Sequence, residues 1–496
     1  MSHFIRQQFL NIELNGSEAE GFALQRHMPD LYYSKVLPAI GEVLDDYDAS
    51  ETQLVIDRLV IDAGTISLSR IDQDLASIVA AELRKMIKKE AVKSVLNDDD
   101  QQINMGATFI QRIEEKLWDV FIYFLKVGRL PWSYQLPEGK SLEVVLSELL
   151  VHNDSGTDIP IPVVKIMESF HSPGVAKRLI LQFSMHFIQL LFRKVAPGIL
   201  SVYHELVKLI DASEHLHNKA DLQSNLPYSF VFTPEIRDLV NQLILEKTII
   251  LSSFNPVVPK VEIVNQVLDE LKPQTGLVKY LMRIFEDILS RDQPLINKSH
   301  LKKLDETAEV TGKIQSVSVS AIGSESVNQE IREGIFIDNA GLVLLHPFLQ
   351  RFFEQLGIAK EDELLQSERA LCLLHYLVTG LTEAPEYELV LPKLLCGIPL
   401  SMPVPLLFDI SESEKNEASA MLEAVISHWE ALGNTSVDGL RGSFLVRPGK
   451  LSQKEDGDWL LQVESRTYDI LLDQLPWGIS MIRLPWMKTM LWVEWR

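Results

Sequence analysis

Arg178-Leu-Ile-Leu-Gln-Phe-Ser-Met-His-Phe-Ile-Gln-Leu-Leu-Phe-Arg193 is the best candidate for a membrane span in this 496-residue chain. Its reading decides between a membrane protein and a packed helical one. The apolar part, Leu179 to Phe192, covers 14 residues and contains Gln182, Ser184, His186 and Gln189. A bilayer needs about 20 apolar residues in a row. The stretch therefore reads as a buried core helix, and no membrane insertion is expected.

Composition agrees with a globular chain. Hydrophobic residues make up 46% and charged ones 23%, which excludes collagen-like and wholly disordered classes. At about 150 residues per domain, the length suggests roughly three domains. The 47 basic and 69 acidic residues leave a formal charge of −22. That charge is spread out, about −5 over 1–95, −7 over 96–330 and −10 over 331–496. Nucleic acid and anionic membranes need clustered Lys and Arg, so neither is expected as a partner. Cys372 and Cys396 are the only cysteines, which suits synthesis in a reducing compartment. The first residues lack the charged and apolar regions of a signal peptide.

The local pattern predicts an α+β, predominantly α-helical fold. Residues 3–14 read as a strand, and Ser17 with Glu20 has capping-box spacing for a helix running towards Leu44, bent or divided at Pro29 and Pro38. Leu54 to Ile61 reads as a second strand. Ile71, Leu75, Ile78, Val79, Leu83, Met86 and Ile87 share one helical face. Further helices are expected around Phe109–Phe124 and near 142–152, 175–210, 234–250, 261–271 and 276–290. A helical half then runs from Leu342 to about Leu432. Strands are expected at Phe444-Leu-Val, Trp459–Val463, Tyr468–Leu472, Ile479–Leu484 and Met490–Trp495. The expected domains are an α+β N-terminal domain at 1–95, a helical middle at 100–305 and a Ser-rich linker at 306–330. The helical part of a C-terminal domain follows at 331–433, and a β-rich end at 434–496.

Catalytic and metal signatures fail at decisive residues. Gly139-Lys140-Ser141 ends like a phosphate loop, but Tyr134 stands where its first glycine belongs. His204-Glu205 begins a zinc-protease pattern, yet Lys208 replaces the second ligand. Asp98 and Asp100 begin like a calcium loop without its glycine. Cys372, His375 and Cys396 lack a fourth ligand and paired spacing, and read as buried residues of Leu-rich segments. No catalytic, cofactor-binding or metal residues are assigned, no cofactor is expected, and the chain reads as a non-enzyme.

Six ordered motifs do match a known pattern. They are His3-x-Ile5 with Ile56-Asp57-Arg58-Leu59-Val60-Ile61-Asp62-Ala63-Gly64, then Phe124-Leu125-x-x-Gly128-x-Leu130-Pro131-Trp132, then Asn339-Ala340-Gly341-Leu342-Val343-Leu344-Leu345-His346-Pro347-Phe348-Leu349. Leu374-His375-Tyr376-Leu377 with Thr379-Gly380, and Pro392-Lys393-Leu394-Leu395-Cys396-Gly397, come next. The set ends with His428-Trp429, Leu440-Arg441-Gly442-x-Phe444-Leu445-x-Arg447-x-Gly449 and Pro476-Trp477-Gly478. In this order the chain resembles the tape measure proteins of contractile injection systems, phage-tail-like particles that deliver toxins. Val60 and Ala63 depart from the family's I-D-R-L-E-L-D-L-G, and about 133–330 carries no resemblance.

The resemblance implies a structural role in setting tube and sheath length, with tube, baseplate hub or cap proteins as partners. It implies a place in the cytoplasm during assembly and inside the particle afterwards. Arg58, Trp132, His346, Trp429, Arg441 and Trp477 are its motif and interface candidates. The alternative is a folded assembly chaperone or cargo-loading adaptor of the same particle. A hydrolase toxin cargo is disfavoured by the failed catalytic motifs.

Overall fold

Ser184 breaks the apolar run into two helices. Its backbone is extended, and its hydroxyl accepts a hydrogen bond from the Phe187 N–H at 3.2 Å, starting a new helix. Glu143 fixes the break, accepting from the Ser184 N–H at 2.7 Å and from its hydroxyl at 2.5 Å. The run is buried as expected, but as two short helices rather than one, because a polar cap outcompetes helix continuation.

The computed structural model describes residues 10–46, 59–96, 117–152, 161–217, 232–291 and 330–495, apart from isolated positions. The chain divides into two compact units, Met1–Ile110 and Gln111–Arg496.

Among its described residues the first unit packs three α-helices, α1 (Glu18–Leu31), α2 (Leu37–Asp45) and α3 (Ile71–Leu96). Ser17 and Glu20 form the predicted capping box: Glu20 accepts from the Ser17 N–H at 2.7 Å, and the Ser17 hydroxyl accepts from the Glu20 N–H at 3.4 Å. Helix α1 continues through Pro29 into a π-turn at Tyr32–Val36, and Pro38 sits in the first turn of α2, where its missing N–H costs nothing. Leu24, Met28, Leu31, Val36, Ile40 and Val43 close on Leu75, Val79, Leu83 and Ile87. Leu59 and Ile61 lie against this core without forming a strand. The strands expected at 3–14 and 54–61 fall almost wholly outside the described residues, as do Phe109, Ile113 and the Ser-rich segment.

The second unit contains two apolar cores, each built from a continuous stretch of chain. Residues 117–291 form a helical body: α4 (117–127), α5 (Leu142–His152), α6 (Val163–Ser169), α7 (Val175–Gln182), α8 (Met185–Val195) and α9 (Pro197–His217). It is completed by α10 (Pro234–Phe254), α11 (Lys260–Glu270), α12 (Thr275–Ile284) and α13 (Glu286–Arg291). The Ser184 cap and Pro197 divide the stretch expected at 175–210, and a break at Phe285 divides that at 276–290, into separate helices. Phe121 of α4 meets Phe183 and Phe187 edge-on at 5.5 and 5.9 Å in the centre of this core. Among the described residues, no helix is long and apolar enough to cross a membrane.

Residues 330–495 form the second body. A five-stranded sheet runs in the order β1 (Ile335–Ile337), β4 (Gly449–Gln453), β5 (Trp459–Val463), β7 (Leu491–Glu494) and β6 (Met481–Ile482). All pairings are antiparallel except β5 with β7. A separate two-stranded ribbon joins β2 (Ala359–Lys360) and β3 (Glu363–Leu364). Helices His346–Gln355, Ser367–Thr379, Val390–Leu395 and Glu412–His428 share one core with the inner sheet face of Leu451, Leu461, Leu491 and Val493. The fold is thus predominantly helical α+β, as the pattern predicts.

Two strand expectations are corrected. Phe444-Leu-Val belongs mainly to a π-turn at Arg441–Leu445, and the hairpin strand begins at Gly449. Tyr468–Leu472 lies in a 3₁₀ helix, Thr467–Gln474, started by Asp469 accepting from the Arg466 N–H at 2.8 Å. Both errors come from apolar residues facing a core without strand geometry.

Candidate functional site

The motifs of the second unit meet one another at two junctions, the first half-buried and the second fully buried. Leu344, from the Asn339–Leu349 motif, accepts a hydrogen bond at its carbonyl from Trp477 Nε1 at 3.1 Å. Phe348 of the same motif meets the rings of Trp477 and His428 at 5.2 and 5.8 Å. Ala340 donates its N–H to the Arg447 carbonyl at 2.9 Å. A Cβ on Gly449 would come 2.7 Å from that of Ala340, so glycine permits the close approach.

Arg441 ties two further motifs together. Its guanidinium donates to the carbonyls of Leu377 and Tyr376 at 3.1 and 3.3 Å and pairs with Asp438 at 3.2 Å. Those carbonyls end the helix Ser367–Thr379, where a cation is favoured by the helix dipole. Gly380 closes the helix at φ +74°, and a Cβ there would lie 3.2 Å from Arg441 Nη1.

The second junction joins the two bodies. Glu386 and Arg178 form a two-point ion pair at 2.8 and 3.1 Å, with side chains 0% and 1% exposed. Lys393 donates to the same carboxylate at 2.6 Å and to the carbonyls of Leu400 and Met402 at 3.0 and 2.7 Å. Burial holds the Lys393 amine below the usual lysine range, with Glu386 opposing that shift. Arg178 also donates to the Leu125 and Ser401 carbonyls. Gly128, at φ +76°, completes the fit, since a side chain there would run into the Glu386 carboxylate. Thus Phe124–Trp132 and Pro392–Gly397, separate in sequence, converge on Glu386.

Gln182 extends the junction. Its amide donates to the Val404 carbonyl at 2.7 Å, while its oxygen accepts from the Glu386 N–H at 2.8 Å. Arg129 is 3% exposed and pairs with Glu330 at 3.2 Å, and Tyr123 donates to the same carboxylate.

Of the six candidate residues, Arg58 lies outside the described residues. Trp132 is half-buried in the turn after α4. The His346 ring contacts the Val343 carbonyl at 2.9 Å, and burial holds its pKa below the usual histidine value. Trp429 is fully buried and donates to the Leu471 carbonyl at 3.1 Å. Arg441 and Trp477 make the contacts above. The structure therefore brings His346, Trp429, Arg441 and Trp477 into one body. Arg178 and Glu386 are the residues sequence reasoning missed, while Arg447 appears in a quoted motif without being singled out. Arg178 stood in view as a flank of the apolar run, where a buried charge next to a core helix was the available signal.

Cys372 and Cys396 are buried free thiols, and burial pushes the Cys372 thiol up to about 12. Among the described residues, no group of three or more His, Cys, Asp or Glu is placed to hold a metal ion.

In the second unit the motif residues pack against one another and attach its two bodies. The family model described as contractile injection system tape measure protein matches residues 2–495. The chain belongs to that family. Searches of the curated proteins and of the solved structures gave no significant match.

Proposed function

We propose that this tape measure protein sets the length of the tube and sheath while an injection particle assembles. The match of the family model across residues 2–495 carries this reading. The N-terminal and C-terminal regions, 1–95 and 331–496, dock on the baseplate hub and on the tube or cap proteins, and the middle supplies length. Arg58, Trp132, His346, Trp429, Arg441 and Trp477 act at these interfaces through the elements they anchor. Assembly takes place in the cytoplasm, and the protein then lies within the particle. A length of 496 residues as one helix would reach about 740 Å, but the longest helix among the described residues, α3, has 26 residues.

A second reading is favoured by the two well-packed cores of the second unit. A chain that keeps them acts as a folded assembly chaperone or cargo-loading adaptor.

Electron microscopy of particles carrying in-frame deletions between residues 140 and 300 tests the choice. A ruler shortens the tube in proportion to the residues removed, by about 1.5 Å each if helical. Constant length with falling particle yield would replace the ruler with the assembly factor.

A further inference from the structure

Arg178, Glu386 and Lys393 occupy a boundary with three unusual properties. First, each body on either side is continuous in sequence, so only residues 292–329 cross between them. Second, the described residues of the helical body meet the 330–495 body chiefly through the side chains of Arg178 and Gln182 on α7 and through Gly128 just after α4, all against Glu386. Third, hydrogen bonds and ion pairs cross it. Among the described residues they include the Arg178–Glu386 pair, Arg178 with the Ser401 carbonyl, Arg129 and Tyr123 with Glu330, Gln182 with the Val404 carbonyl and Glu386 N–H, and the Leu406 N–H donated to the Leu181 carbonyl at 2.9 Å. The Phe124 and Tyr387 rings, 5.9 Å apart, add an apolar contact.

Reopening this boundary exposes the Phe124 and Tyr387 rings but leaves the rest of each apolar cluster within its own body. Separated carboxylate and guanidinium groups regain hydration, which offsets much of the pairing they lose. Each body keeps its own apolar cluster, and polar interfaces within a chain are the ones that permit domain motion. The 38 residues of 292–329 can span at most about 125 Å, so parting the bodies breaks no covalent constraint.

We propose that the second unit opens at the Arg178–Glu386 junction, its two bodies parting as folded bodies joined only by residues 292–329. The inference rests on the length-setting reading, because an opened chain supplies reach that the closed one lacks. Lys393 stays with Glu386 after opening, since both belong to the C-terminal body, so that body carries no unpaired buried carboxylate. Arg178 then faces water on α7.

The test uses the full chain with a protease site inserted after Ser316, cleaved after purification. Gel filtration follows whether the two fragments co-elute, and circular dichroism follows whether each stays folded. Wild-type fragments are expected to remain together. Arg178→Glu, which sets two carboxylates against each other across the boundary, is expected to weaken their association by about 100-fold or more. Glu386→Gln, which keeps an oxygen for Lys393 but removes the charge facing Arg178, is the second variant and is expected to weaken association in the same direction. Fragments that part with their helical signal intact support the proposal. Fragments that stay together at wild-type affinity in both variants, or that lose their helical signal on parting, overturn it. No particle is needed for this assay, so it can fail while the deletion series still shows a ruler, and the reverse.

Discussion

Gly341 lies against the Phe444 carbonyl so closely that any side chain at 341 would overlap it. Both partners are backbone at that contact, and the π-turn carrying Phe444 is packed beneath Trp429, whose ring is 4.7 Å from that of Phe444. Relief would require moving main chain within a close-packed core.

Gly341→Ala should therefore destabilise the C-terminal body by about 3 kcal/mol or more, beyond the usual cost of overpacking. Gly442→Ala is the control, because a Cβ at 442 meets nothing within 4 Å. Denaturant midpoints of the two variants decide the matter. Equal midpoints would mean that the Gly341 contact carries no constraint.

Asp469 receives the second prediction. It pairs with Arg447 at 3.0 Å, the two side chains being 3% and 0% exposed, and accepts from Trp495 Nε1 at 3.1 Å. Arg447 also lies over the Tyr468 and Trp495 rings at 5.0 and 5.5 Å. Asp469→Ala would leave the guanidinium buried without its counter-charge, at a cost of about 3–5 kcal/mol. Urea unfolding followed by tryptophan fluorescence measures it, and a loss below about 1 kcal/mol would contradict the assignment.

The third prediction concerns acid. Burial, opposed by a hydrogen bond to Glu383, lowers the pKa of the His375 ring from 6.5 to about 4, and the side chain is 1% exposed. Glu388 lies 3.8 Å away, but burial raises its own pKa to about 7, so it is largely neutral in this window and supplies no counter-charge to the imidazolium. Between those two values the unfolded chain holds the proton and the folded one does not. Stability should then fall as pH drops from about 6.5 towards 4, by at most about 3 kcal/mol from this group. His375→Gln should flatten the pH dependence in that window. An unchanged slope would assign the acid sensitivity elsewhere.

Sequence patterning reached the helical fold because Leu75, Val79 and Leu83, or Leu422 and Val425, repeat at a helical period. It located the Trp459–Val463 strand through branched and aromatic residues beside a Gly-containing turn. It misplaced Phe444 and Tyr468 because apolar content alone does not distinguish a strand from a tight helical turn facing a core. The junction at Glu386 was less legible still. Glu386 is one acid among 69 acidic residues, and its partner Arg178 stands 208 positions away. Burial turns those two into a pair, and burial of a charge leaves no periodic trace. Asn339, Gly341 and Gly449 stood out only through the family pattern, whereas what fixes them is contact with distant stretches of chain: the Glu388 carbonyl for Asn339, the Phe444 carbonyl for Gly341 and Ala340 for Gly449.

Strand β7 comes after every other described strand in chain order, yet it lies inside the sheet, between β5 and β6. On a ribosome, the slot beside β5 stays empty until residues 491–494 have emerged. Among the described residues β6 pairs only with β7, so it too waits for them. The C-terminal body consequently reaches its native pairing only once synthesis has passed residue 494. A chain cut short before residue 491 carries both helical regions but exposes the sheet interior, where quality-control proteases can recognise it.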